Sequence, residues 1–149
     1  MADSVLRIIP IDPRHVPSAL ERAAAEDVLR QALPRADEIV SVVTHDVRFV
    51  DCGANFETVH CPRCGTDIGE WWTLAMEAAV EQHFMDLRIT TPCCGRRTSL
   101  NDLTYSWAMG FARYKLEAMN PDVFDLPENI RQRLERIFGC RVRLIWAHI

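Results

Sequence analysis

Lysine is nearly missing from this chain of 149 residues: of 17 basic side chains only Lys115 is a lysine, and the others are arginines. No run approaches the roughly 18 apolar residues of a membrane-spanning helix, so no span is expected. The opening residues, MADSVLRIIPIDP, have no basic stretch followed by an apolar one, and no signal peptide is expected. Low-complexity tracts and repeats of solenoid length are lacking, which excludes repeat architectures. The sequence has no Gly-rich phosphate loop, no G-x-S-x-G, no H-x-x-x-H and no convincing carboxylate pair. Those gaps point away from catalysis. The net charge of −4, with the acidic excess in residues 1–75, disfavours broad contact with a phosphate backbone.

The rest is ordinary for a globular chain, with 48% hydrophobic and 26% charged residues. A chain of this length can bury a core without disulfide staples. Together these features place it in the cytoplasm, where thiols stay reduced and clustered cysteines read as metal ligands.

Residues 5–11 are β-branched and apolar and read as a strand ended by Pro10 and Pro13. Residues 18–33 read as a helix, with Ser18 and Glu21 as a capping box and Leu20, Ala24, Val28 and Leu29 as its apolar stripe. Residues 38–52 are strand-like, with a bend near His45 and Asp46. In residues 110–119, Ala112, Tyr114, Leu116 and Ala118 alternate with Arg113, Lys115 and Glu117, the pattern of a strand with one wet face. A helix follows over 127–139, with Ile130, Leu134, Ile137 and Phe138 as its buried stripe, and a strand over 140–149.

With the middle set aside, the order is β-α-β followed by β-α-β. The expected fold is therefore α+β, a ferredoxin-like split βαβ sheet with an inserted zinc-ribbon-like helical module. Residues 1–52 and 110–149 form the two βαβ halves, and 53–109 the insert. Within the insert, 69–84 reads as a helix with one apolar row at Trp72, Met76, Val80 and Phe84 and another at Trp71, Leu74, Ala75 and Ala78. Two such rows predict cover on both sides.

The insert carries two cysteine pairs, in HCPRCGTDIGEWW (60–72) and TPCCGRR (91–97). Zinc in closed sites takes four soft ligands in a tetrahedron. C-P-x-C-G supplies two in a tight turn, and PCCG supplies two more, with Gly95 matching Gly65. In a regular knuckle the partner of Cys94 would stand three residues earlier, at Thr91, so Cys93 is the irregular member. Iron in a four-thiolate site, a redox-active C-x-x-C and four plain core cysteines are the competing readings. His60 is the alternative ligand to Cys93. Cys52 and Cys140 read as buried apolar residues.

The string CPRCGTDIGEWW…PCCGRR resembles the zinc site of the small zinc-binding subunit N of archaeal and eukaryotic RNA polymerases, over about 40 residues of the middle. That family has C-x-x-C-G-x-x-I-G with a Trp soon after, a helix, and an adjacent C-C followed by basic residues. The resemblance implies that Cys61, Cys64, Cys93 and Cys94 bind one zinc ion, and that Ile68, Gly69 and Trp72 occupy its flanking positions. The chain departs from the pattern by placing Gly95 before Arg96 and Arg97.

Four thiolates leave no position for water, so the zinc is expected to be structural. The expected function is that of a non-enzymatic interaction or regulatory protein that binds another protein, with Arg96, Arg97, Trp71 and Trp107 as candidate contact residues. A nucleic-acid-binding zinc ribbon is one alternative, although Arg131, Arg133 and Arg136 do not share a helical face. A small-molecule-binding or enzymatic domain, with a pocket between sheet and insert, is the other.

Overall fold

The computed structural model describes residues 3–149. β1 (Ser4–Pro10), α1 (Ala19–Ala32) and β2 (Glu38–Val50) come first. The middle holds β3 (Val59–His60), α2 (Gly69–Glu81), β4 (Arg88–Thr90), β5 (Arg97–Ser99), a 3-10 turn at Leu100–Asp102 and β6 (Thr104–Tyr105). β7 (Gly110–Met119), α3 (Glu128–Phe138) and β8 (Val142–His148) complete the chain. The protein is mixed α/β, and its sheets are antiparallel.

The main sheet has the order β2-β7-β1-β8. Two small two-stranded sheets, the long-range pair β3-β6 and the β4-β5 hairpin, lie in the middle segment. Strand alternation sorts the main sheet's apolar residues onto two faces. Leu6, Ile8, Tyr114, Leu116 and Ala118 meet α1 and α3 in one cluster. Ile9, Val50, Met109 and Ile145 belong to a second, continuous through Phe49 and Trp72 with the aromatic core under α2.

The register between β2 and β7 shifts between Val43, opposite Tyr114, and Arg48, opposite Ala112. This is the bend expected near His45 and Asp46, and the Thr44 hydroxyl fixes it by donating to the Asp46 carbonyl at 2.7 Å.

Two helix faces differ from the sequence pattern. The capping box of α1 forms as expected, with the Glu21 N–H donating to the Ser18 hydroxyl and the Ser18 N–H to the Glu21 carboxylate. Its buried face, however, is Ala25, Val28 and Leu29, while Leu20 and Ala24 are exposed. The helix starts at Ala19, so Leu20 lies in the first turn, beyond the edge of the sheet cluster. α2 is covered on one side only: Trp71, Trp72, Ala75, Met76 and Ala79 pack inward, and Leu74, Ala78 and Val80 face solvent. Its sequence is apolar enough for two covered faces, but the metal loops and the sheet lie on the same side of it.

The turn after α2 holds His83 and Phe84 at φ 58 and 56. Left-handed backbone disfavours side chains of this size. Here it turns Phe84 back under the helix, its ring centroid 5.4 Å from that of Phe111.

One polar cluster ties the middle segment to the sheet. Asn101 is buried; its Oδ1 accepts from the Phe111 N–H at 3.0 Å, and its Nδ2 donates to the Ile11 carbonyl at 3.0 Å. The Arg143 guanidinium donates to the carbonyls of Asn101 and Met109, both at 2.9 Å. Ser99 caps the 3-10 turn by accepting from the Asn101 N–H, which aims the amide at these partners.

Candidate metal centre

The two cysteine loops are built alike. In the first, the Cys61 N–H donates to the Thr66 carbonyl at 2.9 Å and the Gly65 N–H to the Cys61 carbonyl at 3.0 Å. In the second, the Thr91 N–H donates to the Arg96 carbonyl and the Gly95 N–H to the Thr91 carbonyl, both at 2.9 Å. Thr91 is therefore the counterpart of Cys61, Cys94 of Cys64 and Gly95 of Gly65. Cys93 takes the place held by Arg63 in the first loop. Both glycines have left-handed backbone, φ 74 and 63, with open space where a Cβ would stand. Conformation, not crowding, is what calls for glycine there.

The loops face each other. The four Sγ atoms of Cys61, Cys64, Cys93 and Cys94 all lie within 4.8 Å of one another. A tetrahedral four-thiolate ion with metal–sulfur bonds of about 2.3 Å needs sulfur–sulfur edges of about 3.8 Å. The donor set fits a soft or borderline metal: four sulfurs, no disulfide among the chain's cysteines, and glycine turns that aim both pairs inward. Cys61 is buried, while Cys64, Cys93 and Cys94 are exposed at the loop tips. His60 is not in the group; it pairs with Thr104 in the β3-β6 ladder and bridges to Asp67.

The two loops differ in charge readiness. The Thr66 hydroxyl, 3.1 Å from Cys64 Sγ, and the Thr66 backbone amide hold the Cys64 thiol down to about 6. The backbone amides of Cys64 and Arg63 lower Cys61. Desolvation, then hydrogen bonds with Cys64 and Cys61, pushes Cys93 up. Cys94 is pushed up to about 12, first by its hydrogen bond with Cys64 and then by desolvation. Crowded thiolates resist sharing charge until a cation arrives. The first loop thus offers sulfur already disposed to be anionic, and the second releases its protons when a metal binds. Cys52 and Cys140, outside the centre, are raised mainly by desolvation, the opposite of an activated nucleophile.

Of the four candidate contact residues, three gather here. Arg96 and Arg97 are exposed on the second loop, and half-buried Trp71 lines a groove beside Pro92 and Cys93. Trp107 is exposed but lines a different cleft, with Phe124 and Trp146. The sequence reading missed that cleft because its walls come from five separate segments. Among the described residues, no helix is long and apolar enough to cross a membrane. Neither a family model, nor a curated protein, nor a solved structure matches the chain.

Proposed function

We propose that this is a non-enzymatic interaction protein whose one zinc ion, held by Cys61, Cys64, Cys93 and Cys94, is structural and presents a surface for another protein. The strand order β2-β7-β1-β8 with its two helix-bearing halves supports a ferredoxin-like split βαβ arrangement. The two like cysteine loops, the first closed by the His60–Asp67 bridge and the second by the β4-β5 hairpin, support a zinc-ribbon-like insert between those halves. The likeness of Cys93–Cys94 to the adjacent cysteines of polymerase subunit N is supported by Cys93 standing where Arg63 stands, so that both neighbours reach inward. A tetrahedral four-thiolate sphere suits zinc or iron, and zinc is taken here on the resemblance to the subunit N site. Four sulfurs leave no open position for water, so the ion has no Lewis-acid role in this reading.

The observation that carries the reading is the outer face of α2. Leu74 and Val80 are more than half exposed, and Met85 just beyond them is two-thirds exposed. These apolar side chains stand in water among the exposed carboxylates of Glu70, Glu77 and Glu81, and apolar side chains left in water by folding mark a contact surface. The test is capture of partners from native cytosol by the tagged wild-type chain and by a Leu74→Asp/Val80→Asp variant. Metal content is measured on the same samples. Wild type should hold one zinc per chain and retain an identified protein that the variant loses, with zinc and secondary structure unchanged. Identical recovery by both chains, with turnover of a metabolite by the purified protein, would instead favour an enzyme.

A further inference from the structure

The cleft that holds Trp107 has a volume of about 610 Å³, within the ordinary range for small-ligand sites of roughly 300–1,000 Å³. Three aromatic side chains line it: Trp107, Phe124 and Trp146. Trp107 is 43% exposed, and Phe124 is fully exposed at the tip of the loop that precedes α3. An aromatic ring wholly in water gains nothing for folding, so packing does not explain Phe124.

The cleft is also firmly built. Asn120 and Asp122 both have left-handed backbone, φ 47 and 59. Asn and Asp tolerate such backbone better than other side chains, and contacts fix it here. Asn120 supplies them: its Oδ1 accepts from the Ser4 N–H at 2.9 Å, and its Nδ2 donates to the carboxylates of Asp37 at 2.9 Å and Asp3 at 3.1 Å. On the other wall, the Ala54 N–H donates to the His148 carbonyl at 2.8 Å, and the Asn55 amide to the Trp146 carbonyl at 3.1 Å. A Cβ at Gly53 would overlap the His148 carbonyl, so only glycine lets this segment lie so close to β8.

Apart from His148, the only titratable side chain lining the cleft is the carboxylate of Asp122, and neither lysine nor arginine lines it. Asp3 and Asp37 stand behind Asn120, and the exposed guanidinium of Arg35 lies 3.1 Å from Asp122 Oδ2. Aromatic faces carry negative potential and attract cations, most strongly when partly desolvated.

We propose that this cleft binds an organic cation, a quaternary ammonium or guanidinium group seated on Trp107, Phe124 and Trp146 and balanced by Asp122. The site is separate from the metal centre and from the outer face of α2, and it does not depend on the protein-binding reading. A free small cation and a cationic side chain of a partner share this chemistry.

The test uses the full metal-loaded chain and reads tryptophan fluorescence and calorimetry at fixed ionic strength. Three probes are titrated: choline, its uncharged isostere 3,3-dimethylbutan-1-ol, and acetyl-Gly-Arg-Gly-amide. At least one cation should saturate the site about ten-fold more tightly than the alcohol, a difference of about 1.4 kcal/mol. Phe124→Ala, Trp107→Leu and Asp122→Asn should each weaken that cation about three-fold or more. Phe124 and Trp107 are exposed, and Asn tolerates the left-handed backbone of position 122, so these variants keep the fold. Binding of choline alone assigns a free small cation, and binding of the peptide alone assigns a side chain. Equal affinity for the alcohol, or no saturable binding of either cation, overturns the proposal.

Discussion

At the scale of single residues, Thr91 is the most informative position in the metal centre. It occupies the place of Cys61 in the second loop, is buried, and its N–H and carbonyl make the same turn bonds. The loop therefore has two places from which a sulfur could reach the centre, 91 and 93, and this chain uses 93. Cys93→Ser and Cys94→Ser should each release metal at chelator concentrations that wild type survives, and His60→Ala should not. Adding Thr91→Cys to Cys93→Ser should restore metal retention, measured as metal per chain after dialysis against chelator. Loss of metal in His60→Ala, with Cys93→Ser silent, would make the site three cysteines and a histidine.

The tyrosines give a second residue-scale prediction. The chain has two, and burial pushes both Tyr105 and Tyr114 up to about 12. A phenol whose folded pKa is raised is protonated in the native state where the unfolded chain has already begun to ionise. Stability should therefore be whole below about pH 10 and fall as pH rises from about 10 towards 12, by up to about 1.4 kcal/mol per pH unit for each tyrosine. Phenolate absorbance should appear together with loss of tertiary circular dichroism. A full phenolate signal near pH 10 with the fold intact would contradict this.

At the scale of elements, the junction between the middle segment and the sheet depends on Asn101 and Arg143 more than on apolar contact alone. Arg143 has no carboxylate within bonding reach and spends its donors on carbonyls. Asn101→Leu would strand the Phe111 N–H, the Ile11 carbonyl and part of the guanidinium in a buried setting. A stranded buried polar group costs about 1–3 kcal/mol, so this substitution should cost about 3 kcal/mol in chemical denaturation, with metal content unchanged. Ser18→Ala, which removes one arm of the α1 capping box, should cost about 1 kcal/mol, since that helix end is solvated and loses a single cap. A larger loss from Ser18→Ala than from Asn101→Leu would reverse this ranking of the two elements.

At the scale of the whole molecule, metal should matter unequally. The β2-β7-β1-β8 sheet has a full apolar layer against α1 and α3 that includes no cysteine of the centre. The cysteine loops have short strands, exposed tips and one buried sulfur, Cys61, in the aromatic cluster under α2. Chelation or Cys64→Ser should speed amide exchange in residues 53–109 by orders of magnitude and leave the central strands near wild-type protection. Uniform loss of protection over both regions would mean that the metal holds the chain together as one unit. Because the ligands must be thiolates, metal retention should strengthen as pH rises, with the raised Cys93 and Cys94 carrying the dependence above about pH 6 and Cys64 adding to it only below.

Local chemistry alone determined much of this protein. Ser18-x-x-Glu21 wrote the helix cap, Gly139 the left-handed end of α3 at φ 70, and Ala112 to Ala118 the buried alternation of β7, because each involves neighbours within a turn or a strand. The cysteine pairs were legible for the same reason: each loop closes on itself through hydrogen bonds spanning a few residues. What the sequence could not fix is which apolar stripe finds a partner. Leu20 and Leu74 look as buriable as Leu29 and Met76, and only the placement of helices on the sheet left the first two in water. The cleft of Trp107, Phe124 and Trp146 was likewise invisible, since its residues lie far apart in the chain and meet only when the sheet's strand order and the left-handed Asn120–Asp122 turn bring them together.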